Sequence, residues 1–141
     1  MAPPEVSRRR SLQLAGHIIG FLALVACGSS EPAPTSSLVT IEISICQETC
    51  RTIDGVQVPA GASVIDAMAA ADEAGSLTVR WKGAGPLAFV TEIDGVAAPH
   101  DGKYWLYWVD GAFACVGPGD LRLEADAAVE WRLAAEGGSC A

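Results

Sequence analysis

Tyr104-Trp105-Leu106-Tyr107-Trp108-Val109-Asp110-Gly111 holds two of the four tryptophans and both tyrosines of this 141-residue chain, and its reading decides the fold. Aromatic and β-branched residues favour a pleated surface, and Asp-Gly at the end is a turn signal whose glycine tolerates positive φ. The stretch reads as one β-strand. Side chains alternate along a strand, so Tyr104, Leu106 and Trp108 share one face while Trp105, Tyr107 and Val109 share the other. Both faces are apolar. A strand with one wet face would carry polar residues on that side, so either protein covers both faces or one is a platform for something else.

Working outward, residues 38–45 alternate strictly, with Val39, Ile41, Ile43 and Ile45 inward and Thr40, Glu42 and Ser44 outward, which predicts a half-buried strand. Val56 and Val58 continue a second strand after Asp54-Gly55, and Pro59, which has no donor for the ladder, ends it. Ser63 and Asp66 stand in capping-box spacing ahead of a helix over residues 64–74, with Gly75 just beyond its last turn. Val64, Ala67, Met68 and Ala71 form its apolar stripe, and their small size lets the helix lie close to a sheet. Leu77, Val79 and Trp81 predict a third strand, and residues 89–93 a fourth that turns at Asp94-Gly95. Beyond the aromatic strand, residues 121–123 and the alternation of Val129, Trp131 and Leu133 predict two more. Strand, strand, helix, then strands is an α+β order, and one helix across one face of a mixed sheet is the economical packing.

The first 37 residues stand apart from that pattern. Arg8, Arg9 and Arg10 form a basic region, residues 12–26 an apolar one too short to span a bilayer as a mature helix, and Leu24-Val25-Ala26-Cys27 closes it. This resembles the lipobox of bacterial lipoproteins, which implies a signal peptide over 1–26, cleavage between Ala26 and Cys27, and diacylation of Cys27 as the mature N-terminus. Ser7-Arg8-Arg9-Arg10-Ser11-Leu12 partly resembles a twin-arginine export signal, with Ser11 where that motif prefers phenylalanine. Residues 27–37, small and polar with two prolines, read as the lipidated end and a tether. The ten residues after Cys27 span about 35 Å if extended, enough to hold a domain clear of lipid headgroups. Gly28 stands where aspartate would signal retention at the inner membrane, so a diderm source implies the outer membrane. Residues 38–141 are then one domain.

Cleavage removes Arg8, Arg9, Arg10 and Glu5 and leaves 115 residues with 6 basic and 16 acidic side chains, a net charge of −10. Such a surface lacks the clustered cations that phosphate binding requires, which argues against nucleic acid. It also repels anionic lipid, so the acyl chains must hold the membrane. Cys46, Cys50, Cys115 and Cys140 remain, an even number in an exported chain, which predicts two disulfides. Cys46-Gln47-Glu48-Thr49-Cys50 has one residue more than a redox C-x-x-C, and the spacings lack the paired knuckles of structural zinc.

Gly61-Ala62-Ser63-Val64-Ile65-Asp66-Ala67-Met68, Ile93-Asp94-Gly95, residues 105–111 and Ala128-Val129-Glu130-Trp131 resemble the uncharacterised bacterial domain family related to the C-terminal domain of transcobalamin. The resemblance implies a β-grasp-like sheet in which the first and last strands are parallel neighbours, with a corrinoid as a candidate ligand. It also implies a disulfide pairing. The chain leaving Leu133 would emerge beside Cys46, so Cys140 is expected to bond back to Cys46 or Cys50 and Cys115 to take the other. Local pairing of Cys46 with Cys50 is the rival.

No reaction is spelled out. His100, the one mature histidine, sits in a Pro-His-Asp-Gly loop with no G-x-S-x-G, and reads as a solvated loop residue rather than a base or cobalt ligand. Asp94, Asp101, Asp110, Asp120 and Asp126 match no calcium loop, and turn chemistry accounts for them. The expectation is a protein that is not an enzyme and holds no bound cofactor or metal. Two functions remain: a lipid-anchored envelope module binding a small planar or sugar-like ligand, such as a corrinoid or glycan, or a domain that docks an envelope protein or is structural. Because one helix covers only one sheet face, the other must look elsewhere. Trp105 and Tyr107, whose polar tips suit a wet rim, are the expected exposed and ligand-contacting pair.

Overall fold

Among residues 36–140, which with Gly28 are those the computed structural model describes, alternation becomes strand as expected. The leader, Ala26, Cys27 and most of the tether lie outside the described residues. β1 (Leu38–Cys46) pairs antiparallel with β2 (Cys50–Pro59), and Ile41, Ile43 and Ile45 point into the core. Helix α1 (Val64–Glu73) follows, then β3 (Val79–Lys82), β4 (Phe89–Ile93), β5 (Val96–Ala97), β6 (Tyr104–Val109), β7 (Ala112–Phe113) and β8 (Ala128–Ala134). The larger sheet runs β2-β1-β8-β6-β7 and a smaller one β3-β4-β5. β1 and β8 are parallel neighbours, with Ile43 opposite Val129 and Ile45 opposite Trp131. Among the described residues this is the α+β arrangement with one α-helix. Helix and second sheet share the labour of covering the inner face: α1 packs on β2, the small sheet on β6, and all contribute to one core. Every buried residue lies between Ile41 and Trp131, so the unit Pro34–Ala141 carries its whole described core.

The helix ends are built as their residues dictate. The Ser63 hydroxyl accepts from the Asp66 N–H at 3.2 Å while the Asp66 carboxylate accepts from the Ser63 N–H at 2.8 Å. At the other end Gly75, at φ 73°, donates to the Asp72 carbonyl and Ser76 to that of Ala71, which closes a Schellman motif. The first-turn N–H groups of Val64 and Ile65 donate to the carbonyls of Leu121 and Pro118. That corrects the strand expected over 121–123. The segment is extended, but apart from one bridge between Ser63 and Arg122 its partner is the helix N-terminus, whose orphan donors it satisfies. The third strand forms at β3, but Trp81 does not share the burial of Val79. The ladder slips between Arg80 and Trp81, and the indole stands 38% exposed at the rim of the small sheet.

The disulfide pairing is corrected too. Cys46 bonds Cys50 and Cys115 bonds Cys140. Cys46 and Cys50 are directly opposed in the β1–β2 ladder with Cα atoms 4.0 Å apart, so the hairpin itself brings them together. The parallel strand was foreseen, but the tail beyond it runs elsewhere. Ala134 pairs with Tyr104 at the start of β6, whereas Gly137 and Gly138 lie against the Phe113 ring, and Phe113 pairs with Trp108 four residues along that strand. The chain has therefore turned back over β6 toward β7, which carries Cys140 to Cys115.

Candidate functional site

The two faces of β6 answer the question its sequence poses. Trp105 and Tyr107 are 3% and 5% exposed and belong to the core, so the expectation that they form the exposed pair is wrong. Their polar tips are met by backbone: Trp105 Nε1 donates to the Val96 carbonyl at 2.8 Å and the Tyr107 hydroxyl to that of Val116 at 2.7 Å. The small sheet, which the sequence did not separate from the large one, supplies the first of these acceptors. On the outer face Trp108 is covered by Phe113, ring centroids 5.2 Å apart, and by the Arg132 guanidinium 4.3 Å above its ring. Arg132 is also paired with Glu130, whose hydrogen bond raises its pKa further. Tyr104 alone of the strand's aromatics is open, and it stacks edge-on against exposed Phe89 at 6.4 Å.

Beside that pair lies a cleft of about 170 Å³ between the start of β4, the middle of β6 and the segment 113–118. Its floor includes Trp105, Tyr107 and Trp131, and its walls include Phe89, Phe113 and Val116. No lining residue is charged. The Tyr107 and Trp131 rings stack at 4.9 Å. Burial, followed by the charge of Asp120, pushes the Tyr107 hydroxyl up to about 12, and its donated hydrogen bond to Val116 favours the same neutral form. Among the described residues, Trp131 Nε1 is the single fully buried side-chain nitrogen or oxygen without a partner. Such an orphan costs about 1–3 kcal/mol. The wall is held by close backbone approach: a Cβ on Gly117 would overlap the Pro86 carbonyl, so only glycine fits there. Leu87, 81% exposed, and Val116 extend the apolar rim outward. Neither Leu87, at the end of the 3-10 turn Gly85–Leu87, nor Phe89, at the start of β4, is singled out by the sequence, because an apolar residue there looks the same whether it ends in the core or in water.

The other expected groups lie away from this cleft. His100 is exposed, its ring 3.6 Å from the Asp101 carboxylate, at a polar concavity of about 570 Å³ that also has Glu48 and Lys103 on its lining. It has no buried polar group to orient a ligand. Asp94, Asp101, Asp110 and Asp126 all adopt positive φ, between 48° and 61°, as turn residues do. The Asp110 carboxylate accepts from the Ala128 N–H, and that of Asp94 from the Thr78 N–H and from Arg51 at 2.5 Å. Cys46, Cys50 and Glu130 bring three potential metal-ligand atoms within 4.8 Å, but the two sulfurs are bonded to each other. The thiolates a soft metal needs are thereby consumed.

A small α+β domain with parallel terminal strands and one aromatic cleft is the class that fold and site define. Residues 61–135, more than half of the chain, match the domain of unknown function DUF4430, and the chain belongs to that family. No curated protein matches it. Among solved structures it is similar to a "putative metal binding protein" from Ruminococcus gnavus ATCC 29149, at 14% identity and a TM-score of 0.52, over 72% of this chain and 99% of that one. It is also similar to haptocorrin in complex with Cbi, at 19% identity and a TM-score of 0.55, over 75% of this chain but 28% of that one. The likeness is one of fold, and the chain spans little more than a quarter of haptocorrin.

Proposed function

We propose that this protein is a non-enzymatic binding module of the bacterial cell envelope, anchored through acyl chains on Cys27, whose aromatic cleft takes one ring of a small planar or sugar-like ligand. The observation that carries the reading is the open Phe89–Tyr104 pair, of which Phe89 also lines the neighbouring cleft with its buried aromatic floor. Soluble domains seldom leave large aromatics together in water without a use for them. The two structural neighbours support a ligand role in kind, one described as metal-binding and the other holding Cbi. Scale limits the ligand: about 170 Å³ falls below the roughly 300–1,000 Å³ of sites that enclose drug-sized molecules. A corrinoid or a glycan would therefore present one edge or one ring, with the rest lying on the rim. The ligand-contacting role expected of Trp105 and Tyr107 passes to the cleft they floor, and Phe89 and Tyr104 make the first contact.

Saturation-transfer NMR with cobinamide and with a glycan panel tests this, using wild type and the double variant Phe89→Ala, Tyr104→Ala. Both rings are about two-fifths exposed, so the variant keeps its fold while transfer disappears. Transfer that survives the double change refutes the site. The protein-docking reading draws on one specific feature, the continuation of the apolar rim to Leu87 and Val116 beyond what a ring-sized ligand would cover. Absence of transfer to every probe, with an envelope protein captured by wild type but not by Leu87→Asp, favours that reading.

A further inference from the structure

Away from the aromatic cleft, the larger sheet gathers one group of ligand-type side chains. Among the described residues, Cys46, Cys50 and Glu130 alone bring three potential metal-ligand atoms within 4.8 Å of one another. The ladder places them. Cys46 and Cys50 are directly opposed across the β1–β2 hairpin, and Glu130 on β8 stands opposite Ser44, one alternation before Cys46 on the same face of β1. Glu130 Oε1 lies 3.5 Å from Cys46 Sγ. A disulfide sulfur has no proton to donate, so the oxidised bridge gives that carboxylate no partner, and among the described residues Arg132 is what it pairs with.

The spacing suits a tetrahedral ion. With Zn–S near 2.3 Å and Zn–O of about 2.0–2.2 Å, a thiolate sulfur and a carboxylate oxygen on one zinc lie about 3.5 Å apart, the separation that Cys46 and Glu130 already have. Two thiolates on that ion lie roughly 3.8 Å apart, the contact distance of sulfurs that are no longer bonded, and Cα atoms 4.0 Å apart hold the pair together. Two thiolates beside a carboxylate repel one another unless a cation lies between them.

We propose that reduction of the Cys46–Cys50 bridge opens a site for a soft divalent cation, zinc or cadmium, held by both thiolates and the Glu130 carboxylate with water in the fourth position. The reductant is a dithiol. Its thiolate attacks the sulfur of exposed Cys50, the Cys46 sulfur leaves as a thiolate, and the second thiol of the reductant then displaces Cys50. Two electrons pass to the protein, and the reductant ends as a disulfide. Protons still on the two thiols go to solvent as the metal binds. The bridge closes a loop of sequence separation 4 against 25 for Cys115–Cys140, so less chain entropy holds it shut. The oxidised hairpin takes no metal, and the loaded one re-forms the bridge only when the ion leaves. None of this depends on what the aromatic cleft binds.

The full chain carrying Cys27→Ser, which leaves only the four bridge cysteines, tests it. It is reduced with dithiothreitol in mild detergent, freed of reductant without air, and titrated with cadmium, whose thiolate complexes absorb in the ultraviolet. One cadmium per chain with the absorption of two thiolates is expected after reduction and none before. Cys46→Ser with Cys50→Ser abolishes this uptake although Cys115 and Cys140 remain, and Glu130→Gln weakens it about tenfold or more. Absence of uptake, uptake that survives the double serine change, or uptake indifferent to Glu130→Gln overturns the inference. Because reduction also cuts Cys115–Cys140, the fold is followed by near-ultraviolet circular dichroism. Zinc should raise the melting midpoint of the reduced chain, or refold a reduced chain that has come apart, since it binds the native arrangement. Zinc that lowers the midpoint, or leaves the reduced chain unfolded, also overturns the inference, because the thiols would then meet only in the unfolded chain.

Discussion

Replacing Cys115 and Cys140 together by serine should cost more than replacing Cys46 and Cys50, because the two bridges close loops of very different length. In the chain-entropy account the first, 25 residues apart, is worth about 3.5 kcal/mol and the second, 4 apart, about 2 kcal/mol. Loss of the long bridge also frees the tail that lies on Phe113, whose ring covers Trp108, so packing on the outer face weakens with it. The gap of about 1.5 kcal/mol is measured by urea unfolding of the two double variants against wild type under non-reducing conditions. The m value must be fitted separately for each, since an unbridged denatured chain exposes more surface and steepens the transition. A larger loss from the Cys46/Cys50 pair would refute the reasoning. So would a peptide map that joins Cys140 to Cys46 or Cys50.

Above pH 10 the domain should lose stability at up to about 1.4 kcal/mol per pH unit until about pH 12 through Tyr107 alone, because over that interval the unfolded chain has released a phenolic proton that the native state keeps. Tyr107→Phe should flatten the alkaline limb between those values, and an unchanged limb would show that the native hydroxyl titrates normally. Ser63→Ala removes a buried cap oxygen and should lower stability by about 1–2 kcal/mol by denaturant unfolding; no change would mean the Leu121 and Pro118 carbonyls hold the helix start unaided. Cys27→Ser should abolish acylation and leave precursor or released protein on membrane fractionation, and unaltered processing with firm membrane association would defeat the lipid-anchor proposal.

What the sequence by itself determined was everything written in short spacings. The β1 alternation, the Ser63–Asp66 box, the Gly75 terminator and the Asp-Gly turns are decided by residues within a few positions of one another, where backbone sterics and local hydrogen bonds act with little help from the rest of the chain. The resemblance carried the parallel pairing of first and last strands, which periodicity alone does not contain. The tertiary structure decided which face of β6 is inside. Alternation assigns Trp105 and Tyr107 to one side but is symmetric under exchange of the sides, and only the small sheet, whose Val96 carbonyl accepts the indole proton, breaks the symmetry. The same holds for the cysteines and for residues 121–123. Four cysteines allow three pairings; the β1–β2 hairpin opposes Cys46 and Cys50, and a tail that turns back over β6 rather than continuing past β1 brings Cys140 to Cys115. An extended segment with good alternation can equally well pair with a strand or cap a helix, and here the Val64 N–H at the start of α1 claimed the Leu121 carbonyl. The cleft is the extreme case. Its lining comes from β4, β6, β8 and the segment 113–118, so no local pattern holds it, and Trp131, placed by its alternation in the last strand, shows its unpaired nitrogen only when its neighbours are in place.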